Sequence, residues 1–220
     1  MGCVMRWFTS DLHFGHANIA RFCDRPFLRE RIVDGAVERY TDVDSMNAAI
    51  IANMNAHVAV EDELWILGDV AMGNIDHTLK LVQRFTAGRV VIVTGNHDRC
   101  HPCNGTKAEK WLQRYETDTG ANVINGNTEL VLANGVSVQV SHFPYEGESH
   151  VTKDGKDRFV PWRPVDDGRW LLCGHVHDAW QQRGRIINVG IDAWGGVPVS
   201  EAAVCDLMEQ GPADRARIPW

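Results

Sequence analysis

Val90-Val91-Ile92-Val93-Thr94 runs without a break into Gly95-Asn96-His97-Asp98. A short, β-branched, almost wholly apolar run reads as a strand covered on both faces. Just beyond its end stand an amide, an imidazole and a carboxylate within one turn. The arrangement recurs along the chain. Val4 to Thr9 leads into Asp11-Leu12-His13, Leu64 to Leu67 into Gly68-Asp69, Val136 to Val140 into His142, and Trp170 to Cys173 into Gly174-His175-Val176-His177. Polar side chains gathered just past strand ends mark the rim where an open α/β sheet builds its site.

Between the strands lie helical patterns. Met46, Ile50 and Met54 form one stripe; Ile75, Leu79, Val82 and Phe85 form another, with Gly88 as its expected cap. Thr106-Lys107-Ala108-Glu109 reads as a capping box opening a helix through Trp111, Leu112 and Tyr115. Asn134-Gly135 between two apolar runs predicts a hairpin with a type I′ turn. Further strands are expected at Ile186 to Val189 and Ala202 to Leu207. The fold class is α/β, in one domain over residues 1–220 whose tail, 209–220, is expected to pack loosely.

The donor set is specific. Asp11, His13, Asp69, Asn96, His142, His175 and His177 supply two carboxylates, one amide and four imidazoles, the ligands that first-row divalent ions accept. In extended chain, residues two apart point the same way, so Asp11 and His13 are expected to reach one ion together and His175 and His177 to converge by the same geometry.

Composition narrows the partners. With 44% apolar and 23% charged residues, a net charge of −7 and no Lys/Arg run, the chain lacks the basic face of a protein that grips duplex nucleic acid. No segment is long and apolar enough for a bilayer, and Met1 to Arg6 lacks the pattern of a secretory signal. Six sparse cysteines suit reduced thiols in a cytoplasmic protein. The sequence leaves the oligomeric state open. Cys100-His101-Pro102-Cys103 reads as a loop with two incidental thiols.

In order and content the five blocks resemble the calcineurin-like metallophosphoesterases, from about residue 5 to about residue 207, and especially the small bacterial and phage enzymes of that family. The resemblance implies a four-layer α-β-β-α sandwich of two mixed β-sheets, the metallophosphoesterase fold. It implies a first metal on Asp11, His13, Asp69 and His177 and a second on Asp69, Asn96, His142 and His175, with Asp69 bridging. Manganese is the expected ion, with iron, zinc and nickel as alternatives. A metal-bridging hydroxide would then attack a phosphate ester, with a small, nucleotide-like phosphodiester as the expected substrate. Phosphomonoesters, short single strands and a catalytically silent scaffold are the rival readings.

His97, left over from ligation, is the expected catalytic imidazole, protonating the departing alkoxide. Asp98 matches the family's residue that orients it. His16 is a candidate for a substrate contact or a helix cap. Within the polar stretch Tyr145 to Arg169, which holds Lys153, Asp154, Lys156 and Asp157, Arg158, Trp162 and Arg163 are candidate substrate contacts. Asp192 and Trp194 read as structural packing beside the site.

Overall fold

Along each central strand, alternate residues enter different cores. Leu64, Ile66 and Ile92 face one way, among residues of the long helices, while Phe8, Trp65, Leu67, Val91 and Val93 face the other, toward a second sheet. The computed structural model describes residues 4–147 and 158–220; Cys3, His150, Lys153, Asp154, Lys156 and Asp157 lie outside the described residues. In chain order the elements are β1 (Arg6–Thr9), α1 (Ile19–Phe22), β2 (Leu28–Val33), β3 (Ala36–Thr41), α2 (Val43–His57), β4 (Glu63–Ile66), α3 (Ile75–Thr78), β5 (Arg89–Val93), α4 (Glu109–Thr119), β6 (Asn122–Ile124), β7 (Thr128–Val131), β8 (Ser137–Val140), β9 (Leu171–Cys173), β10 (Gln182–Gly184), β11 (Ile186–Asn188), β12 (Val199–Ser200), α5 (Glu201–Glu209) and β13 (Ala213–Arg215).

The first sheet runs β12-β1-β4-β5-β6 and the second β13-β10-β11-β9-β8-β7. Both are mixed. β1, β4, β5 and β6 are parallel with β12 antiparallel at the edge, and β8, β9 and β11 are parallel between antiparallel outer strands. The sheets meet through Phe8, Trp65, Val91 and Val93 on one side and Val138, Val140, Leu172 and Ile187 on the other. Against the first sheet's outer face lie Met46, Ile50, Ile51 and Met54 of α2 and Tyr115 of α4. The second sheet's outer face, Leu171, Cys173 and Ile186, has a thinner cover from Val176, Trp180 and Tyr145. Among the described residues no helix is long and apolar enough to cross a membrane.

Several local expectations are corrected. Ala202 to Leu207 is helix α5, not a strand. Ser200 caps it by accepting from the Ala203 N–H at 3.1 Å, and Val204, Leu207 and Met208 are buried at helical spacing. Thr106 forms no capping box; it sits in a 3₁₀ turn, and α4 begins at Glu109. The stripe from Ile75 ends at Arg84 in a tight 3₁₀ turn, so Gly88 is not its cap. The β7–β8 hairpin forms, but Gly135 alone has positive φ (81°) and its N–H donates to Leu132 O at 2.8 Å. That is a type I turn with a left-handed glycine after it, not type I′. The type I′ pair is Asp34-Gly35 (φ 50° and 78°), joining β2 to β3 in an exposed hairpin not expected from sequence.

The tail is docked rather than loose. β13 pairs with β10, Ile218 bridges Trp194, and the Trp220 ring packs edge-on to Phe27 at 5.7 Å between centroids.

Candidate metal centre

The C-terminal ends of β1, β4, β5, β8 and β9 all open on the same rim, and the loops there are tied to one another by backbone. Asp11 N–H donates to Gly68 O and His13 N–H to Asp69 O, each at 3.0 Å, while Gly174 N–H donates to His142 O at 3.0 Å. These ties bring the seven predicted donors together. Asp69 Oδ2 lies 3.6 Å from His13 Nε2 and 3.5 Å from His142 Nε2. Asp11 Oδ1 lies 3.9 Å from His13 Nε2 and 3.8 Å from His177 Nε2. Asn96 Oδ1 sits 3.1 Å from both His142 Nε2 and His175 Nδ1. Asp69 therefore stands between two donor groups, with Asp11 and His177 on one side and Asn96 and His175 on the other.

The site asks for positive charge. Asp11 and Asp69 are buried side by side, at 0% and 1% exposure. Burial opposes charge on His142, but the Asp69 carboxylate and its hydrogen bond carry its pKa up to about 9. Burial likewise opposes charge on His177, and Asp11 and Asp192 outweigh it. His13 differs. Burial holds its pKa well below the usual imidazole range despite Asp69, and both its ring nitrogens are buried without a hydrogen-bond partner among the described residues. A buried nitrogen with no partner is costly. An imidazole lone pair facing two carboxylates across 3.6 and 3.9 Å has the distances that a shared cation would close. Asp11, His13 and His177 form one such cluster, and Asp11, Asp69 and His142 another. The donors present fit divalent metal.

The calcineurin-like phosphoesterase family model matches residues 6–179. This chain belongs to the calcineurin-like phosphoesterases. Membership makes it a metal-dependent phosphoesterase in the broad sense. Its relatives include the Gene 66 protein of Mycobacterium phage L5, 32% identical with 92% of this chain and 93% of that protein covered. The Gene 66 protein of Mycobacterium phage D29 is 34% identical, with 89% and 92% covered. An uncharacterized protein of Methanocaldococcus jannaschii is 24% identical over 95% and 94%. Among solved structures, a protein of unknown function from Aquifex aeolicus superposes with a TM-score of 0.62 at 21% identity, covering 93% of this chain and 100% of that one.

Around this phosphoesterase centre the remaining predicted site residues divide. His97 is exposed, with its ring 5.4 Å from His13 between centroids and its backbone N–H donating to Asp69 Oδ1 at 2.8 Å. Asp98 does not orient it. The Asp98 carboxylate is fully buried and accepts from the N–H groups of Asp69 (2.9 Å), Val70 (3.0 Å) and Gly95 (2.8 Å). Neighbours on a tight turn diverge, and here one faces solvent while the other clamps two ligand loops. Burial and the nearby Asp69 charge push the Asp98 carboxyl up to about 7, against the pull of those donors.

His16 Nδ1 accepts from the Asn18 N–H at 3.0 Å, a bond to the residue before α1 rather than a cap within the helix, and the ring lines a cavity. That cavity, about 280 Å³, is bounded by His13, His97 and His177 on the metal side and by Ile19, Phe22 and Arg158 on the other. Arg158 thus lines the cavity. Arg163 does not: it donates to Pro144 O and Gly147 O, each at 2.9 Å, and to Arg158 O at 3.2 Å. Trp162 packs edge-on to His101 at 5.5 Å and lies outside the cavity lining. Sequence reasoning missed Phe22, which no metal motif contains and whose exposed ring, 6.1 Å from that of His16 between centroids, joins the cavity lining only in the fold. Cys100 and Cys103 are free thiols.

Proposed function

We propose that this phosphoesterase hydrolyses a small phosphodiester at a pair of divalent ions, the first held by Asp11, His13, Asp69 and His177 and the second by Asp69, Asn96, His142 and His175. The observation that carries this is Asp69 Oδ2 lying within 3.6 Å of His13 and 3.5 Å of His142, with the His13 nitrogens lacking any hydrogen-bond partner among the described residues. Manganese is the proposed ion, and iron, zinc and nickel suit the same donors. Such ions polarise phosphoryl oxygens and make an activated water available near neutral pH.

The chain's own residues do the rest. His97 stands at the open side of the centre, where it protonates the leaving oxygen. Arg158 offers charge to a phosphoryl oxygen, and Phe22 with Ile19 gives the second ester substituent an apolar wall. That cavity is what favours a diester over a monoester, since a monoester has no second substituent to place. The net charge of −7 supports a small substrate rather than an extended duplex. A single domain working on a soluble ester in the cytoplasm completes the reading.

The test is metal-depleted protein reloaded with manganese and assayed on a bis-aryl phosphodiester, the matching monoester, cyclic nucleotides and dinucleotides. The diesters should be favoured in kcat/KM by about tenfold or more, roughly 1.4 kcal/mol. A preference for the monoester overturns the diester assignment, and no turnover by protein holding two ions overturns hydrolysis itself.

A further inference from the structure

Behind the Asp11 and His177 side of the centre lies a buried ionic network drawn from three distant segments. Arg25, just after α1, has a fully buried side chain. Its Nε donates to Asp192 Oδ1 at 2.7 Å and its Nη2 to Asp192 Oδ2 at 2.9 Å, a bidentate pair. The same guanidinium reaches the ligand loop itself: Nη2 donates to Asp11 O at 2.7 Å and Nη1 to Leu12 O at 3.0 Å. Asp192 Oδ2 also lies 3.1 Å from His177 Nδ1, and Asp192 Oδ1 accepts from Nε1 of Trp220 at 2.9 Å. The Trp220 ring stacks with Arg25, whose Cζ is 5.6 Å from the ring centroid.

A buried ion pair is a poor device for stability alone, because apolar residues of similar size often hold a core as well or better. This one is spent on a proposed ligand and on the backbone of another. A carboxylate on Nδ1 fixes the imidazole tautomer and leaves Nε2 with its lone pair, and His177 Nε2 is the atom that faces Asp11. On the other side of the centre the device is different: His142 Nδ1 lies 2.8 Å from the Leu67 carbonyl oxygen, with no charge involved.

We propose that Asp192, clamped by Arg25 and capped by Trp220, is a positioning residue for the first ion, holding His177 with Nε2 on that ion while Arg25 sets the Asp11–Leu12 backbone. This rests on the two-ion reading above. It gives Asp192 and Trp220 a role beyond filling space.

The experiment is calorimetric titration of metal-depleted protein with Mn²⁺, with thermal unfolding measured alongside. Two variants are compared with the unaltered protein. Asp192→Asn removes the carboxylate but leaves Arg25 buried with a poorer partner, so it is expected to be less stable as well. The double variant Arg25→Met with Asp192→Leu removes both charges and should melt closer to the unaltered protein. In both, one of the two Mn²⁺ equivalents should weaken by about 10–100-fold while the other changes by less than about threefold. A stable double variant that binds both equivalents as tightly as the unaltered protein overturns the proposal, since the network then serves the fold alone. Equal weakening of both equivalents also overturns it. If the unaltered protein itself takes up no stoichiometric Mn²⁺, it is the two-ion reading that falls, and the positioning role with it.

Discussion

Replacing Gly95 with alanine should strip the centre of metal while leaving the fold largely standing. An alanine Cβ there would fall onto Asp69 Oδ1 and lie 2.7 Å from the Asp69 amide nitrogen and 2.8 Å from His142 Nδ1. Ordinary contact begins near 3.4 Å, so the Asp69 backbone and His142 must each withdraw by about 0.6–0.7 Å, from directions that cannot both be relieved by one rotamer. Metal–ligand distances tolerate roughly ±0.2 Å. Displacement three times that size at the bridging carboxylate and at a ligand of the second ion should cost both ions at least about 100-fold in affinity, roughly 2.8 kcal/mol. Overpacking should cost the fold a further ~1–3 kcal/mol. Gly135→Ala is the control. Its φ of 81° makes alanine strained by roughly 1–2 kcal/mol, yet nothing lies within 4 Å of the added carbon. Metal content after dialysis against Mn²⁺, read with the melting temperature, separates the two. A Gly95→Ala protein that keeps two ions and full activity would refute the close approach of these loops.

Three further outcomes are expected. His97→Ala should retain both ions and lose 10²–10⁴-fold in kcat on a diester with a poor leaving group, with little loss on an activated aryl diester; equal turnover on the poor leaving group removes His97 from the reaction. Asp98→Ala leaves the N–H groups of Asp69, Val70 and Gly95 without their acceptor, at about 1–3 kcal/mol each before water enters, so it should lower both melting temperature and metal affinity, whereas His97→Ala leaves both near normal. Burial lowers the His101 pKa to about 4, and its Nδ1 accepts from the Cys103 N–H at 3.1 Å. The unfolded chain therefore binds the extra proton first as pH falls from 6.5 toward 4, and stability is lost across that window. His101→Asn should flatten the acid limb of stability against pH by ~1–2 kcal/mol after allowance for solvent screening, and an unchanged limb would show that other groups set it.

The strands and the clustering of the seven predicted donors at their ends are legible because each depends on short stretches of chain: an apolar run buried on both faces, then polar groups at its end. What escaped depends on contacts distant in sequence or on a face that no pattern marks. Ala202 to Leu207 is apolar enough for strand or helix, and the capping Ser200 decides for helix only by its bond to Ala203. The β2–β3 hairpin was missed because it packs neither face: Ile32 is 78% exposed and Val37 67%, so no alternation of apolar and polar residues announces it. Arg25 and Asp192 are 167 positions apart, and nothing local in either segment points to the other. Motif alone pairs Asp98 with its neighbour His97, whereas burial turns its carboxylate to the N–H groups of Asp69, Val70 and Gly95.

Asp11 and His13 do converge, but not through the extended geometry that the sequence invites. Eight described residues other than glycine have positive φ, and five of them are proposed ligands: Asp11 (57°), His13 (50°), Asp69 (55°), His175 (71°) and His177 (48°). Side chains in this left-handed region cost about 1 kcal/mol or more each, and Asp and His are among those that tolerate it best. Strain of this kind persists only where the surroundings over-determine it, and here they do. The loop backbones are tied across strands at Asp11, His13 and Gly174, His175 N–H donates to Asp11 Oδ2 at 3.0 Å, Asp98 clamps Asp69 to Gly95, and Arg25 holds the carbonyls of Asp11 and Leu12. At Asp11 and His13 the turn brings side chains two positions apart to 3.9 Å, Asp11 Oδ1 to His13 Nε2. The preference for αL explains why Asp and His rather than longer acids occupy these positions, and why the groups that hold them are buried and charged: they keep a curved backbone from relaxing into the strand it continues.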